Sequence, residues 1–269
     1  MAVMSAWIRQ WIFLPLHGAG EICRWPLLAI LLLWALFPLV RRRPGGTFRR
    51  LAALTAVAAA LALCWVSLYD APVELARPDE AALLALADEL CEALNGGQFA
   101  PTSTAEMLEV ARRLTPEATA HFHTGDRPWL LTRMRAAGLF LPFFNEIWMD
   151  TAEPAVLQPF TAVHERFHAS GYADEGTANR LAYEACISEG GSFAHSARIY
   201  AAKLLWQAGS PAVRRRLYTQ LSEENLWLLR QAGAFQETGS ALPAWVVSRL
   251  PGAVSYDDLI AYLADSSVR

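Results

Sequence analysis

The chain has 269 residues, 54% of them hydrophobic and 18% charged, with a net charge of −3. That composition, with its positive mean hydropathy, is more apolar than an ordinary soluble domain requires. A charge so near zero argues against a polyanionic partner, so no nucleic-acid interface is expected.

The apolar excess lies near the start of the chain. Residues 1–24, with Trp7, Trp11 and Phe13, read as an interfacial stretch. Trp25–Val40 and Leu51–Tyr69 contain no charged residue. Both read as transmembrane helices, giving a two-helix span over 25–69 that would partner a lipid bilayer. The first run is 16 residues long and rises about 24 Å, so it is expected to recruit Ile22 and Cys23 while Arg24 snorkels. It lacks a small-residue cleavage site and is read as retained. The connector, residues 41–50, carries five arginines in ten positions. By the positive-inside bias this loop faces the cytoplasm, and the rest of the chain lies outside the cytoplasmic (inner) membrane.

Residues 70–269 have the composition of one globular domain, long enough for a good core. Leu83, Leu86, Leu90 and Leu94 recur at helical spacing in Asp79–Asn95, which Gly96-Gly97 ends. Ser103-x-x-Glu106 is a capping box opening a helix to Leu114. Arg127–Ala137 reads as a helix stopped by Gly138. Leu139–Met149 is the best strand candidate, with Pro142 suggesting an edge or a bulge. Downstream, helices are expected over Glu175–Ser188, Phe193–Ala208, Pro211–Ala232 and Tyr256–Ala264. The domain is therefore expected to be mainly α with a small β element. Cys91 and Cys186 fall in it, and two separately buried thiols are favoured over a disulfide.

The chemistry lies between the strand candidate and these helices. His164-Glu165-Arg166-Phe167-His168 spells H-E-x-x-H. On a helix, this spacing puts two imidazoles one turn apart on one face, where they can share a metal ion, with the glutamate beside the open coordination position. Such a motif arises by chance in roughly one chain in a hundred of this length, so its surroundings matter. Phe160, Val163, His164, Phe167 and His168 form a helical stripe. Pro159 suits the first turn and Gly171 stands where the helix should stop. Catalytic zinc needs a third protein ligand. Glu175 opens E-x-x-A-N, which puts Glu175 and Asn179 on one face of a following helix. Glu175 is read as the ligand and Asn179 as the residue that orients a ligand histidine. This spacing resembles the E-x-x-x-D/N pattern of thermolysin-like (gluzincin) peptidases. Asp174, the metzincin-like alternative, lacks the downstream methionine turn because Met149 is the last methionine. It is read as an N-cap.

The wider pattern resembles a bacterial family of membrane-anchored H-E-x-x-H proteins, catalogued only as a domain of unknown function. The residues that carry the resemblance are Pro142-Phe143-Phe144-Asn145-Glu146, Pro159-Phe160-Thr161 leading into the motif, Gly171-Tyr172-Ala173, Glu175 with Ala178-Asn179, Ala182-Tyr183 and Gly252–Tyr256. The resemblance covers most of the chain and implies two N-terminal spans followed by an extracytoplasmic, zincin-like domain. The family often has a second acid two positions before the asparagine, where this chain has Thr177.

The expected activity is zinc-dependent (Zn2+) hydrolysis of a peptide or protein substrate, with Glu165 as general base and proton shuttle. Tyr183, His195 and Tyr200 are candidates for stabilising the oxyanion. In thermolysin-like peptidases an edge strand pairs with the substrate backbone, and Phe143–Glu146, including Asn145 and Glu146, are the candidates here. His17, His121 and His123 have no partner spacing and are read as structural or surface residues. The rival expectation is a catalytically silent binding or sensor domain that keeps the fold, a reading favoured by Thr177.

Overall fold

The computed structural model describes residues 78–126, 131, 136–141, 145–172, 175–236 and 257–265. By contacts the chain divides into two units, Met1–Asp70 with Phe143–Asn145, and Ala71–Pro142 with Glu146–Arg269. The second unit is described here.

It runs α1 (Glu80–Asn95), α2 (Thr104–Leu114), β1 (His121–Gly125), β2 (Gly138–Leu141), β3 (Glu146–Asp150), α3 (Gln158–Ala169), α4 (Glu175–Glu189), α5 (Gly191–Ala208), α6 (Pro211–Gln220), α7 (Glu223–Gln236) and α8 (Asp257–Ala264). The starts follow local chemistry. Asp79 caps α1 by accepting from the Ala82 N–H at 2.8 Å, Ser103 caps α2 through Glu106, and Ser210 caps α6 through Val213. The mainly helical character and the small sheet agree with the sequence reading.

Helix α5 is the axis of the unit, touching α1, α3, α4, α6, α7 and α8. Ala194, Ala197, Ala201 and Ala202 keep its surface small, and Ile199, Leu204 and Leu205 are fully buried with them. A helix surrounded on all sides has no polar stripe, which explains why α5 buries His195, Ser196 and Lys203 as well.

The sheet has the order β1-β3-β2, with β1 parallel and β2 antiparallel to β3. Phe122, Ile147, Met149 and Phe140 turn towards the helices and join the core, while His121, His123, Glu146 and Trp148 share the other face.

Four expectations are corrected. The single strand expected over Leu139–Met149 is two antiparallel arms, β2 and β3, with residues 142–144 outside the described set. The helix expected over Pro211–Ala232 is two, because Leu221 takes extended dihedrals and Ser222 starts a new helix by accepting from the Asn225 N–H. Strand β1 was not foreseen, since His-Phe-His-Thr-Gly has no apolar alternation beyond Phe122. The fold class with two transmembrane helices is also overturned, because among the described residues no helix is long and apolar enough to cross a membrane. The runs on which it rested, within 25–69, lie outside the described residues, as do the basic loop 41–50, the interfacial stretch 1–24 and most of the expected helix 127–137. Cys91 and Cys186 are free, buried thiols. Burial pushes Cys91 up to about 11 and Cys186 higher still, so both stay protonated.

Candidate metal centre

Helix α3 carries the motif, and both of its ends are fixed by the chain around it. Pro159 lies in the first turn, and Leu157 offers no side-chain cap. The cap comes from elsewhere: the Phe160 N–H donates to Ser196 Oγ on α5 at 3.0 Å, while the Thr161 side chain ties the first turn to Glu153 by donating to it at 2.9 Å. At the other end the Tyr172 N–H bonds the Phe167 carbonyl at 3.1 Å and the Gly171 N–H bonds the His168 carbonyl at 3.0 Å. This is a Schellman ending, and Gly171 supplies its left-handed residue with φ 99°. The rings of Phe167 and Tyr172 meet edge to face at 6.1 Å, the apolar contact that usually accompanies such a turn.

The turn also has a chemical consequence. It brings the Tyr172 carbonyl to 2.6 Å from His168 Nδ1. A carbonyl can only accept, so Nδ1 carries a proton, and the ring turns Nε2 the other way, as the donor atom whenever the ring is neutral. There it lies 3.0 Å from His164 Nε2 and 3.5 Å from the Glu175 carboxylate, whose other oxygen is 3.2 Å from His164 Nε2. The ligand atoms of His164, His168 and Glu175 all lie within 4.8 Å of one another. Phe160 supports His164 from below, stacked at 6.0 Å and 27°.

Two imidazole nitrogens and one carboxylate, with one ring fixed in the tautomer that frees Nε2, fit a zinc ion. The electrostatics agree. Burial opposes a charged His168 ring, but the carboxylates of Glu175 and Glu165 and the Tyr172 carbonyl outweigh it and hold the ring at about 9. Burial likewise works to raise Glu175, yet His168 and His164 hold its carboxyl well below the usual range. The three groups could hold a cation between them.

Glu165 is buried, only 6% exposed, and close enough to His164, His168 and Glu175 to feel their charges. Burial raises its pKa, opposed by His168, His164 and a backbone hydrogen bond from Phe140 on β2, with Glu175 adding to the rise. A buried carboxyl lifted in this way is the kind of group that often marks a functional site.

The other sequence candidates fall in several places. Asn179 lies one turn beyond Glu175, 1% exposed. Its Oδ1 is buried without a hydrogen-bond partner, and so is His164 Nδ1. Tyr200 stacks on Phe160 at 4.1 Å and is 8% exposed, so its ring stands in the core behind the stack. Tyr183 is half-buried and packs on the core. His195 faces Phe99, the backbone at Gly97 and Asn225, and burial lowers its pKa. Glu146 accepts from Trp148 Nε1 and sits on β3, the central strand, whose two edges are taken by β1 and β2. Its backbone is therefore committed, and the strand edge beside the motif is β2. Asn145, with φ 51°, belongs to the other unit. Phe143, Phe144 and Asp174 lie outside the described residues. Thr177 is two residues past Glu175, about 200° round α4.

Sequence reasoning missed Arg166. Within the motif it looks like a solvated charge, yet it is 3% exposed. It donates to Thr115 Oγ1 at 2.8 Å, the Thr115 carbonyl at 2.6 Å and the Ala118 carbonyl at 2.7 Å. Burial, reinforced by Arg112, lowers it to about 10. It ties α3 to the loop between α2 and β1.

These features define a mainly helical domain with an H-E-x-x-H helix and a following glutamate converging on one point. The chain belongs to the family described as Protein of unknown function (DUF3810), whose match spans residues 80–228, more than half of the chain. That span includes His164, Glu165, His168 and Glu175. No curated protein and no solved structure matches the chain.

Proposed function

We propose that this domain is a zinc-dependent peptidase, with His164, His168 and Glu175 holding the metal and Glu165 acting as general base. The observation that carries the reading is the convergence of the two Nε2 atoms and the Glu175 carboxylate within 4.8 Å, on consecutive helices, with a buried carboxyl next in sequence to one of the histidines. When bound, zinc supplies Lewis acidity, polarising a scissile carbonyl and acidifying water in its open position.

The protein's own part follows from the geometry. Glu165 removes a proton from the attacking water and carries it to the departing amine, a task that needs a carboxyl above its ordinary pKa. The Tyr172 carbonyl holds His168 in the working tautomer. Asn179, one turn beyond Glu175 on α4, is the candidate for the same task at His164, because each residue holds a buried polar atom without a hydrogen-bond partner. A peptide substrate is accommodated along β2, the antiparallel edge strand whose Phe140 backbone already reaches Glu165. The complete ligand set without position 177 supports Thr177 as a dispensable position.

The test is a peptide-library hydrolysis assay on the zinc-loaded chain against Glu165→Gln. Removing a general base lowers turnover by about 10²–10⁴-fold while zinc is retained. Equal activity in the two proteins, or none in either, contradicts the peptidase reading; the second result returns the domain to a silent, binding role.

A further inference from the structure

Residue 138 is a glycine on β2, an edge strand packed against the motif helix. Its partner in the β2–β3 register is Met149, and side chains of paired residues share a face, so a side chain at 138 would turn towards the helices with Met149 and Phe140. That space is taken. A Cβ at position 138 would lie 2.6 Å from Glu165 Cγ, 2.6 Å from its Oε1 and 2.9 Å from its Cδ. Three atoms along the whole side chain are in conflict, so no rotation of the carboxylate end alone relieves it. Ordinary carbon contacts need 3.5 Å or more.

The strand register explains what Glu165 gains there. The Asp150 N–H bonds the Ala137 carbonyl at 2.8 Å, which makes 137/150 a hydrogen-bonded pair. In an antiparallel ladder such pairs alternate, so Leu139 and Leu141 direct their backbone groups at β3 while Gly138 and Phe140 direct theirs outward. The Phe140 N–H is thus free of the ladder, and it reaches Glu165.

We propose that Gly138 is a positioning residue: the bare backbone of β2 at Gly138 and the outward N–H of Phe140 form a seat that fixes Glu165 beside the His164–His168–Glu175 group. The role assigned to Glu165 rests on the peptidase reading, whereas the seat itself rests on the packing of β2 against α3. The three atoms nearest a Cβ at 138 all belong to Glu165, so Gly138→Ala meets Glu165 first.

The experiment compares the full-length chain with Gly138→Ala, Glu165→Ala and the double variant, each loaded with zinc alone. In Gly138→Ala the zinc content stays at the parent level and KM is unchanged, but kcat falls by about 100-fold, the effect of a misplacement near 1 Å. A crystal structure of that variant finds the Glu165 carboxylate moved off the Phe140 N–H. In the Glu165→Ala background, where the conflict is gone, adding Gly138→Ala leaves Tm where it was. An unmoved Glu165 in the variant structure overturns the proposal, as does an equal Tm loss in both backgrounds, which would place the conflict elsewhere in the strand. If the parent hydrolyses nothing, the peptidase reading fails, while the crystal structure and the Tm comparison still decide whether Gly138 seats Glu165.

Discussion

At the scale of single residues, the centre depends on atoms that are buried and short of partners. Asn179 Oδ1 and His164 Nδ1 are such a pair. Partners that orient a ligand histidine typically contribute 10- to 100-fold in metal affinity, so Asn179→Ala should weaken zinc binding by about that factor in a competition titration with a chelator. An unchanged affinity would leave Asn179 as core packing only. Glu153 is a second case. It accepts from Thr161 Oγ1 on α3, and burial raises its pKa to about 8, with Thr161 and Lys203 opposing the rise. Its folded pKa is above its unfolded one, so between roughly pH 4.5 and 8 the folded state binds the extra proton and stability falls as pH rises. Glu153→Gln removes that loss. Its Tm should exceed the parent's at pH 8 and approach it at pH 5, as measured by thermal melts across the range. Lys203, lowered to about 8 by burial, acts in the opposite direction above that pH and is unaffected by the substitution in sign. A Tm gap that does not grow with pH would contradict a buried, protonated Glu153. Neither Glu153 nor Arg166 was legible in the sequence as a buried group, because a charged side chain declares its burial only through tertiary partners.

At the scale of elements, the turn after α3 links stability to chemistry. Gly171 sits at φ 99°, where a side chain meets the backbone. Placing an L-residue there costs about 1–2 kcal/mol. Gly171→Ala should therefore lower stability by that amount in denaturant melts. It should also weaken zinc retention, because the same turn presents the Tyr172 carbonyl to His168. Lost stability with zinc affinity untouched would separate the turn from the site. This element was readable in advance: the periodic stripe, Pro159 and Gly171 bounded the helix, and the structure runs from Gln158 to Ala169. The i, i+4 spacing of the histidines and Glu175 at the next helix start made the clustering of these three residues legible too. The strands were harder. In Leu139–Met149 the apolar and aromatic residues of both arms read as one continuous strand, and Pro142, read as an edge or a bulge, in fact stands just past the end of β2. The seat at Gly138 was hidden for the same reason. A glycine before a strand reads as a helix stop, and only the packing of α3 shows that its missing Cβ is occupied by Glu165. The helix expected over Pro211–Ala232 failed because Ser222-Glu223-Glu224-Asn225 was passed over as an N-terminal signal.

At the scale of the whole molecule, two consecutive helices, α3 and α4, packed on the central α5, bring the site together. The remaining elements hold α3 in place: Ser196 on α5 at its start, Arg166 anchoring the loop before β1, and β2 against Glu165. The apolar runs read as a membrane anchor, within 25–69, lie outside the described residues; among the described ones no helix is long and apolar enough to cross a membrane, and apolarity serves the core. Helix α5 shows how: it has 18 residues, mostly buried, yet it also carries His195, Arg198 and Lys203. The central claim is that His164, His168 and Glu175 form one metal centre. The most direct measurement is the zinc content of the purified full-length chain by elemental analysis, for the parent and for His168→Ala and Glu175→Ala. One zinc per parent chain, lost in both variants, is the result the account predicts. A parent that takes up no zinc when supplied with it, or a Glu175→Ala chain that keeps its zinc, would contradict it.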